Sequence, residues 1–200
     1  MFRAIAEYCS TIGIPYLTVY AFSTENWKRP QNEINAIMNL LRQYLDDAFD
    51  DKSVQGRFRT RFIGDRKALA PDIAEKMARA EELTKDCEGT CVCIALNYGG
   101  RAEIVEAAKD AAQKAVNGEI TPESITEEFF SSLLYTSGIP DPDVIIRPSG
   151  ERRSSNFLVW QSAYAEFVFE DVLWPDFKPE HLDKALLEYS QRVRRFGGAE

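Results

Sequence analysis

Residues 91–96 read CVCIAL, an apolar run with no polar interruption. A run this short fits a strand buried on both faces, and such a strand needs helices on either side of a mostly parallel sheet. The rest of the chain supplies both kinds of element in alternation. Phe2, Ile5, Ala6 and Cys9 mark one face of a helix that Gly13 ends. Residues 16–22 (YLTVYAF) are rich in the aromatic and β-branched side chains that suit strands. A long amphipathic helix follows over 32–49, with Ile34, Ile37, Met38, Leu41, Leu45 and Ala48 on one side. Next come a strand at 57–63, a helix at 71–84 with Pro71 in its first turn, and a helix running to Ala115 faced by Ile104, Ala108, Ala111 and Ala115. Short helical pieces reach Leu134, and Val144-Ile145-Ile146 and Phe167-Val168-Phe169 read as two further strands. A last helix from Pro179 turns Leu182, Ala185, Leu186, Tyr189 and Val193 inward. The alternation predicts one α/β domain over residues 1–200, a mostly parallel sheet flanked by helices.

In such a sheet the functional loops gather at the carboxyl ends of the strands. Three polar loops leave strands there: 23–29, 97–101 and 147–155. The last one holds Arg147, Arg152 and Arg153 with Ser149, Ser154 and Ser155. Guanidinium forks and hydroxyls in that density make an anion receptor, suited to phosphate oxygens. The plainer reading is a solvated basic loop with local ion pairs. Glu166, at the start of the following strand, adds a carboxylate that a hard cation could use to bridge protein and diphosphate. The surroundings sharpen the point, because the chain as a whole is acidic, with a net charge of -8. That balance argues against a nucleic-acid partner. Leu40 and Tyr44 widen the apolar arc of the 32–49 helix, which either buries the helix on more than one side or lines an apolar channel.

Other chemistries find little support. Gly99-Gly100 turns a strand into a helix but lacks the spacing of the nucleotide-binding glycine motifs. His181 is the sole histidine, and no GxSxG nucleophile motif occurs. Cys9, Cys87, Cys91 and Cys93 are unevenly spaced and read as buried free thiols, which suits a reducing cytoplasm. No apolar run is long enough to span a bilayer. The remaining reading is a site where a diphosphate departs, stabilised by arginines and a metal.

Four stretches, AFSTENWKRP (21–30), FIGDR (62–66), ALNYGGRAEI (95–104) and IIRPSGERRSSNFLVWQSAYAEFVFEDVLWPDF (145–177), closely resemble the cis-prenyltransferases, and bacterial undecaprenyl or decaprenyl diphosphate synthases most of all. The resemblance implies a magnesium-dependent transferase that adds isopentenyl diphosphate to an allylic diphosphate such as farnesyl diphosphate, threading the product into an apolar tunnel. By motif, Arg147, Arg153 and Ser155 would hold isopentenyl diphosphate, with Arg152 and Ser154 beside them, and Glu166 would bind magnesium. Asn26 matches an asparagine implicated in proton removal, although an amide is a poor base and could instead orient the true acceptor. Ser23, Thr24, Glu25, Trp27 and Arg29 match substrate-contacting positions on a mobile loop. Arg195 and Gly197 match a terminal Arg-x-Gly that reaches the partner's site in a homodimer. Peripheral contact with a membrane is a further expectation.

The pattern departs at the amino terminus. Family members carry an upstream strand and a DGN-type loop with a catalytic aspartate that shares magnesium with the position of Glu166. Residues 1–11 do not match that motif. The expectation is a sheet lacking its first central strand, and a 200-residue chain that is inactive and poorly folded alone. Two alternatives stay open: a non-catalytic partner subunit, and a soluble phosphate-binding module.

Overall fold

The computed structural model describes residues 1–50 and 58–192. Among these, β1 (Tyr16–Ser23), β2 (Arg59–Ile63) and β3 (Cys91–Tyr98) form a parallel sheet in the order β1-β3-β2. Both outer strands start level with Cys91 of β3, opposite Tyr16 on one side and Arg59 on the other. Every residue of β3 is buried, which is why its first six, residues 91–96, are a continuous apolar run. Val92, Ile94 and Leu96 enter one core and Ala95 another, as the two-residue period of a strand requires.

Helices cover the sheet as the alternation predicts. α1 spans Phe2–Thr11, α2 Gln31–Asp50, α3 Pro71–Thr84, α4 Gly100–Val116, α5 Glu127–Ser132 and α6 Pro179–Ser190. Ile34, Met38 and Leu45 of α2 meet Ile73 and Met77 of α3 over Phe62 and Ile94. Ile5 and Cys9 of α1 pack with Phe177 and Leu182 in a second cluster. The side chain of Ala48 lies outside the described residues, as do Arg57, Val193, Arg195 and Gly197. No helix among the described residues is long and apolar enough to cross a membrane.

The sheet itself is divided. β4 (Val144–Arg147) and β5 (Glu166–Phe169) form a separate parallel pair, and neither β1 nor β4 has a second strand partner among the described residues. Consecutive residues of both strands, Thr18, Val19, Tyr20 and Ala21 from β1 and Ile145, Ile146 and Arg147 from β4, line one cavity. Successive side chains of a strand point to opposite faces, so a run of neighbours on one cavity means that the cavity meets the strand edge-on. The two sheets therefore face each other across it.

The cysteines are free, with Cys9, Cys91 and Cys93 buried and Cys87 half-buried. Gly64 of the FIGDR stretch has φ +124, and a Cβ there would stand 2.1 Å from the Leu96 carbonyl oxygen, so β2 can leave β3 this closely only through glycine.

One helical face differs from the periodicity reading. The buried side of α4 is Gly100, Glu103, Ala107 and Ala111, whereas Ala108 is exposed and Ile104 and Ala115 only half-buried. A carboxylate has turned the helix. Glu103 is 1 % exposed, and its Oε2 accepts from Tyr98 Oη at 2.6 Å and Gln161 Nε2 at 3.2 Å. Its Oε1 accepts from the Tyr135 amide at 2.8 Å. Apolar periodicity cannot reveal a buried acid that three donors satisfy. Burial pushes the Glu103 carboxyl above its ordinary value, while bonds from Tyr98, Gln161 and the Tyr135 amide pull it back. The folded chain thus keeps this proton where the unfolded chain has lost it, and the contribution to stability falls as pH rises above about 4.3. Glu103→Gln turns an N–H toward Tyr98 and Gln161 or toward the Tyr135 amide and should cost about 1–3 kcal/mol. Urea unfolding across pH should show the deficit narrowing from about pH 4.3 upward; a widening deficit would contradict the assignment.

Candidate active site

Arg147 leaves the end of β4 into a turn in which Ser149 (φ +79) and Gly150 (φ +68) are both left-handed. The turn is pinned to the chain after β5: the Ser149 amide donates to the Val172 carbonyl at 2.8 Å and the Gly150 amide to the Glu170 carbonyl at 3.0 Å. This holds Arg147, Ser149, Arg153 and Ser154 around one end of the cavity between the sheets. Arg147 Nε is buried there and has no hydrogen-bond partner among the described residues. A buried N–H of a cation without an acceptor is costly, and a bound anion would satisfy it. Arg153 is largely exposed and pairs with Glu151.

Away from that mouth the cavity, about 520 Å³, is apolar, walled by Val19, Leu40, Leu41, Tyr44 and Ile94. Leu40 is 66 % exposed although it sits on this wall. The wide arc of α2 is therefore a cavity lining and not a second buried side, which decides between the two readings of that helix. The site is cationic at one end and apolar along its length.

The 23–29 loop takes a different place. Thr24–Lys28 is a short 3-10 turn closed by a reciprocal cap between Ser23 and Asn26, in which Asn26 Oδ1 accepts from the Ser23 amide at 2.8 Å. The carbonyl of Asn26 is thus occupied in holding the turn. Trp27 packs edge-on against Phe22 at 5.0 Å and donates from Nε1 to Asn97 Oδ1 at 2.7 Å. Arg29 pairs with Glu33 at 3.5 Å in solvent. None of Ser23, Thr24, Glu25, Asn26, Trp27 or Arg29 lines the cavity, and neither does Ser155. Of these, Glu25 is tied to Asn156, which follows the cradle residues Arg153 and Ser154 in the chain: Asn156 Nδ2 donates to Glu25 Oε1 at 2.8 Å. Partial desolvation raises the Glu25 carboxyl, but bonds from Asn156 and its own loop outweigh it and hold it below the ordinary value.

Asn156 was not conspicuous in the sequence, nor was Asn97. Asn97 ties Trp27 to the turn after β2 by donating from Nδ2 to the Asp65 carbonyl at 2.8 Å. Asn156 caps α4, its carbonyl accepting from the Gly100 amide at 2.8 Å and its Oδ1 from the Arg101 amide at 2.9 Å. The first amides of α4 are therefore already satisfied, and Gly99-Gly100 serves close packing: a Cβ on Gly100 would stand 2.6 Å from Val159 Cγ2. The one available signal was an Asn beside serines in a polar loop, the residue type that most easily takes φ above zero.

Glu166 is not brought to this chain's own cradle. In the parallel pair Glu166 is level with Val144 and Arg147 with Phe169, so the carboxylate sits at the opposite end, about 10 Å along the strands. Its Oε2 accepts from Arg192 Nη1 at 2.7 Å, and Arg192 also pairs with Glu188. No cluster of three His, Cys, Asp or Glu side chains suitable for a metal occurs among the described residues. Magnesium keeps ligands at about 2.1 Å, so Glu166 does not fit an ion shared with an anion at Arg147 of the same chain.

An α/β domain whose cavity joins a guanidinium mouth to an apolar interior can accommodate an amphiphile with an anionic head. The family described as "Putative undecaprenyl diphosphate synthase" matches residues 1–197, and the chain belongs to it. It is 46% identical to the isoprenyl transferase of Clostridium perfringens, over 98% of this chain and 77% of that protein. Its fold is similar to lavandulyl diphosphate synthase from Lavandula x intermedia, solved with dimethylallyl diphosphate, at a TM-score of 0.90 and 33% identity over 98% of this chain and 84% of that one. A "probable undecaprenyl diphosphate synthase" from Campylobacter jejuni is similar at a TM-score of 0.85 and 36% identity, over 98% of this chain and 89% of that one.

Breaking the partly exposed Glu166–Arg192 pair by Glu166→Gln should cost at most about 1 kcal/mol, a fall in Tm of about 2–4 °C. Affinity for inorganic diphosphate, measured calorimetrically with magnesium present, should stay unchanged. A tenfold loss would place Glu166 back beside the cradle.

Proposed function

We propose that the chain binds isopentenyl diphosphate at the Arg147 mouth and transfers an allylic prenyl group to it, extending a cis-polyprenyl diphosphate. The observation that carries this reading is the buried, unpartnered Nε of Arg147 at the point where the cavity turns from polar to apolar. Arg147 offers a bidentate fork to a diphosphate, with Arg153 and the Ser154 hydroxyl completing the cradle. The apolar length along α2 takes the tail of the allylic substrate, excluding water from a carbocation that water would otherwise quench.

The reaction this arrangement suits breaks the allylic C–O bond, forms a C–C bond from C4 of isopentenyl diphosphate and releases inorganic diphosphate and one proton. Fixed guanidiniums at the mouth favour it by holding isopentenyl diphosphate, and with it the attacking C4, in place. Neither Asn26 nor Glu25 lines the cavity, and Glu25 is tied to Asn156 just after the cradle residue Ser154, so their proposed task is to shape the loop beside the cradle. No step is assigned to magnesium at Glu166, for the geometric reason above.

Two variants test the head and tail separately. Arg147→Met should weaken isopentenyl diphosphate binding about 10- to 100-fold, the loss of one charge-assisted fork. Leu40→Glu, on an exposed position that should tolerate the change in folding, should leave that binding within about twofold. It should weaken farnesyl diphosphate by at least tenfold, since each buried CH2 of the tail is worth about 0.8 kcal/mol. Calorimetry on both ligands, with transfer of label from isopentenyl diphosphate into longer prenyl diphosphates as the activity measure, checks the reading. Equal affinity of the Arg147 variant and the parent chain would refute it.

A further inference from the structure

Asn156 is asked to do four things at once. Its backbone is left-handed, at φ +64. Its carbonyl and its Oδ1 accept from the first two amides of α4, Gly100 and Arg101. Its Nδ2 donates to Glu25 across 131 positions of sequence. Glycine would meet the first demand, and aspartate would meet the first and keep the cap. Only asparagine adds the N–H that reaches Glu25.

The surroundings are cut to this bond. A Cβ on Gly99 would stand 2.5 Å from Thr24 Oγ1 and 3.0 Å from Asn156 Nδ2, so the glycine leaves the corridor in which the amide and the loop meet. Thr24 Oγ1 in turn donates to Glu25 Oε2 at 3.2 Å, so the carboxylate is held from two sides. Phe157, the next residue, stacks on Tyr20 of β1 at 4.6 Å and lines the cavity. Arg153 and Ser154, just before it, line the mouth.

We infer that Asn156 is a positioning residue that couples the diphosphate cradle to the 23–29 loop, setting where Glu25 and Asn26 stand according to whether the cradle is filled. The inference rests on the reading that the cradle takes isopentenyl diphosphate. A diphosphate engaging Arg153 and Ser154 restrains the segment that leads into Asn156, and the Nδ2–Glu25 bond carries that restraint to the loop. The cap on α4 supplies the fixed point about which it acts.

Amide hydrogen exchange on the 200-residue chain tests this without relying on turnover. Asn156→Asp keeps the left-handed backbone and the cap while removing the donor and setting a second carboxylate against Glu25. Exchange across 22–30 should rise about tenfold or more, with 100–116 unchanged. In the double variant Glu25→Gln/Asn156→Asp the bond can re-form with its polarity reversed, and exchange at 22–30 should return to that of the parent. Unchanged exchange in the single variant, an equal rise across 100–116, or no recovery in the double variant would each overturn the inference. Added isopentenyl diphosphate should slow 147–156 and 22–30 together in the parent, but only 147–156 in Asn156→Asp. Slowing of both segments in the variant would also overturn it. Were neither slowed in the parent, the functional reading would fall, while the ligand-free comparison would still decide the role of Asn156.

Discussion

Strand β3 is buried along its whole length, so every polar group at its carboxyl end must be met by protein and not by water. The rest of the site follows from that. Asn97, Tyr98 and Gly100 are each matched from a different part of the chain: Trp27 and Asp65 at Asn97, Glu103 at Tyr98, Asn156 at Gly100. Loops that are far apart in sequence are thereby drawn to one rim. A buried strand end is expensive to leave unsatisfied, at about 1–3 kcal/mol for each group, and this is what fixes the loops in place.

A substrate with a diphosphate head and a prenyl tail makes opposite demands on its container. The head needs donors that are already oriented, and the tail needs a wall without them. The cavity between β1 and β4 meets both by placing Arg147 at a strand end, where direction changes from sheet to turn, and α2 along the side. Tyr20 shows how tightly the two are joined. Its hydroxyl donates to the Tyr98 carbonyl at 2.9 Å, its ring stacks on Phe157 and it lines the cavity. Family membership and the amphiphilic cavity point the same way by independent routes.

The elements were legible wherever burial was one-sided or complete. CVCIAL fitted a doubly covered strand, as the structure has it, and the spacing of Ile34, Met38 and Leu45 marked the face that α2 packs inward. The grouping of Arg147, Ser149, Arg153 and Ser154 at one end of the cavity was legible from composition, since they are neighbours in sequence, whereas Arg152 and Ser155 of the same loop do not line it. What escaped was set by contacts between distant residues. The face of α4 is turned by Glu103, a residue that any apolar count places outside. Asn156 matters only because Glu25 and Arg101 converge on it. Glu166 looked like a neighbour of the cradle because it opens the next strand. In a parallel pair, however, the start of one strand lies beside the start of the other, at the far rim from Arg147. Connectivity suggested proximity and register removed it.

Under the proposed function, one cavity holds head and tail in a defined order. A crystal structure with isopentenyl diphosphate and a non-ionising thio analogue of farnesyl diphosphate tests it most directly. The account predicts a diphosphate oxygen within about 3 Å of Arg147 Nε and the farnesyl chain lying along Leu40 and Tyr44. A diphosphate seated instead on the Gly100 and Arg101 amides of α4, or a farnesyl chain outside the cavity, would contradict it.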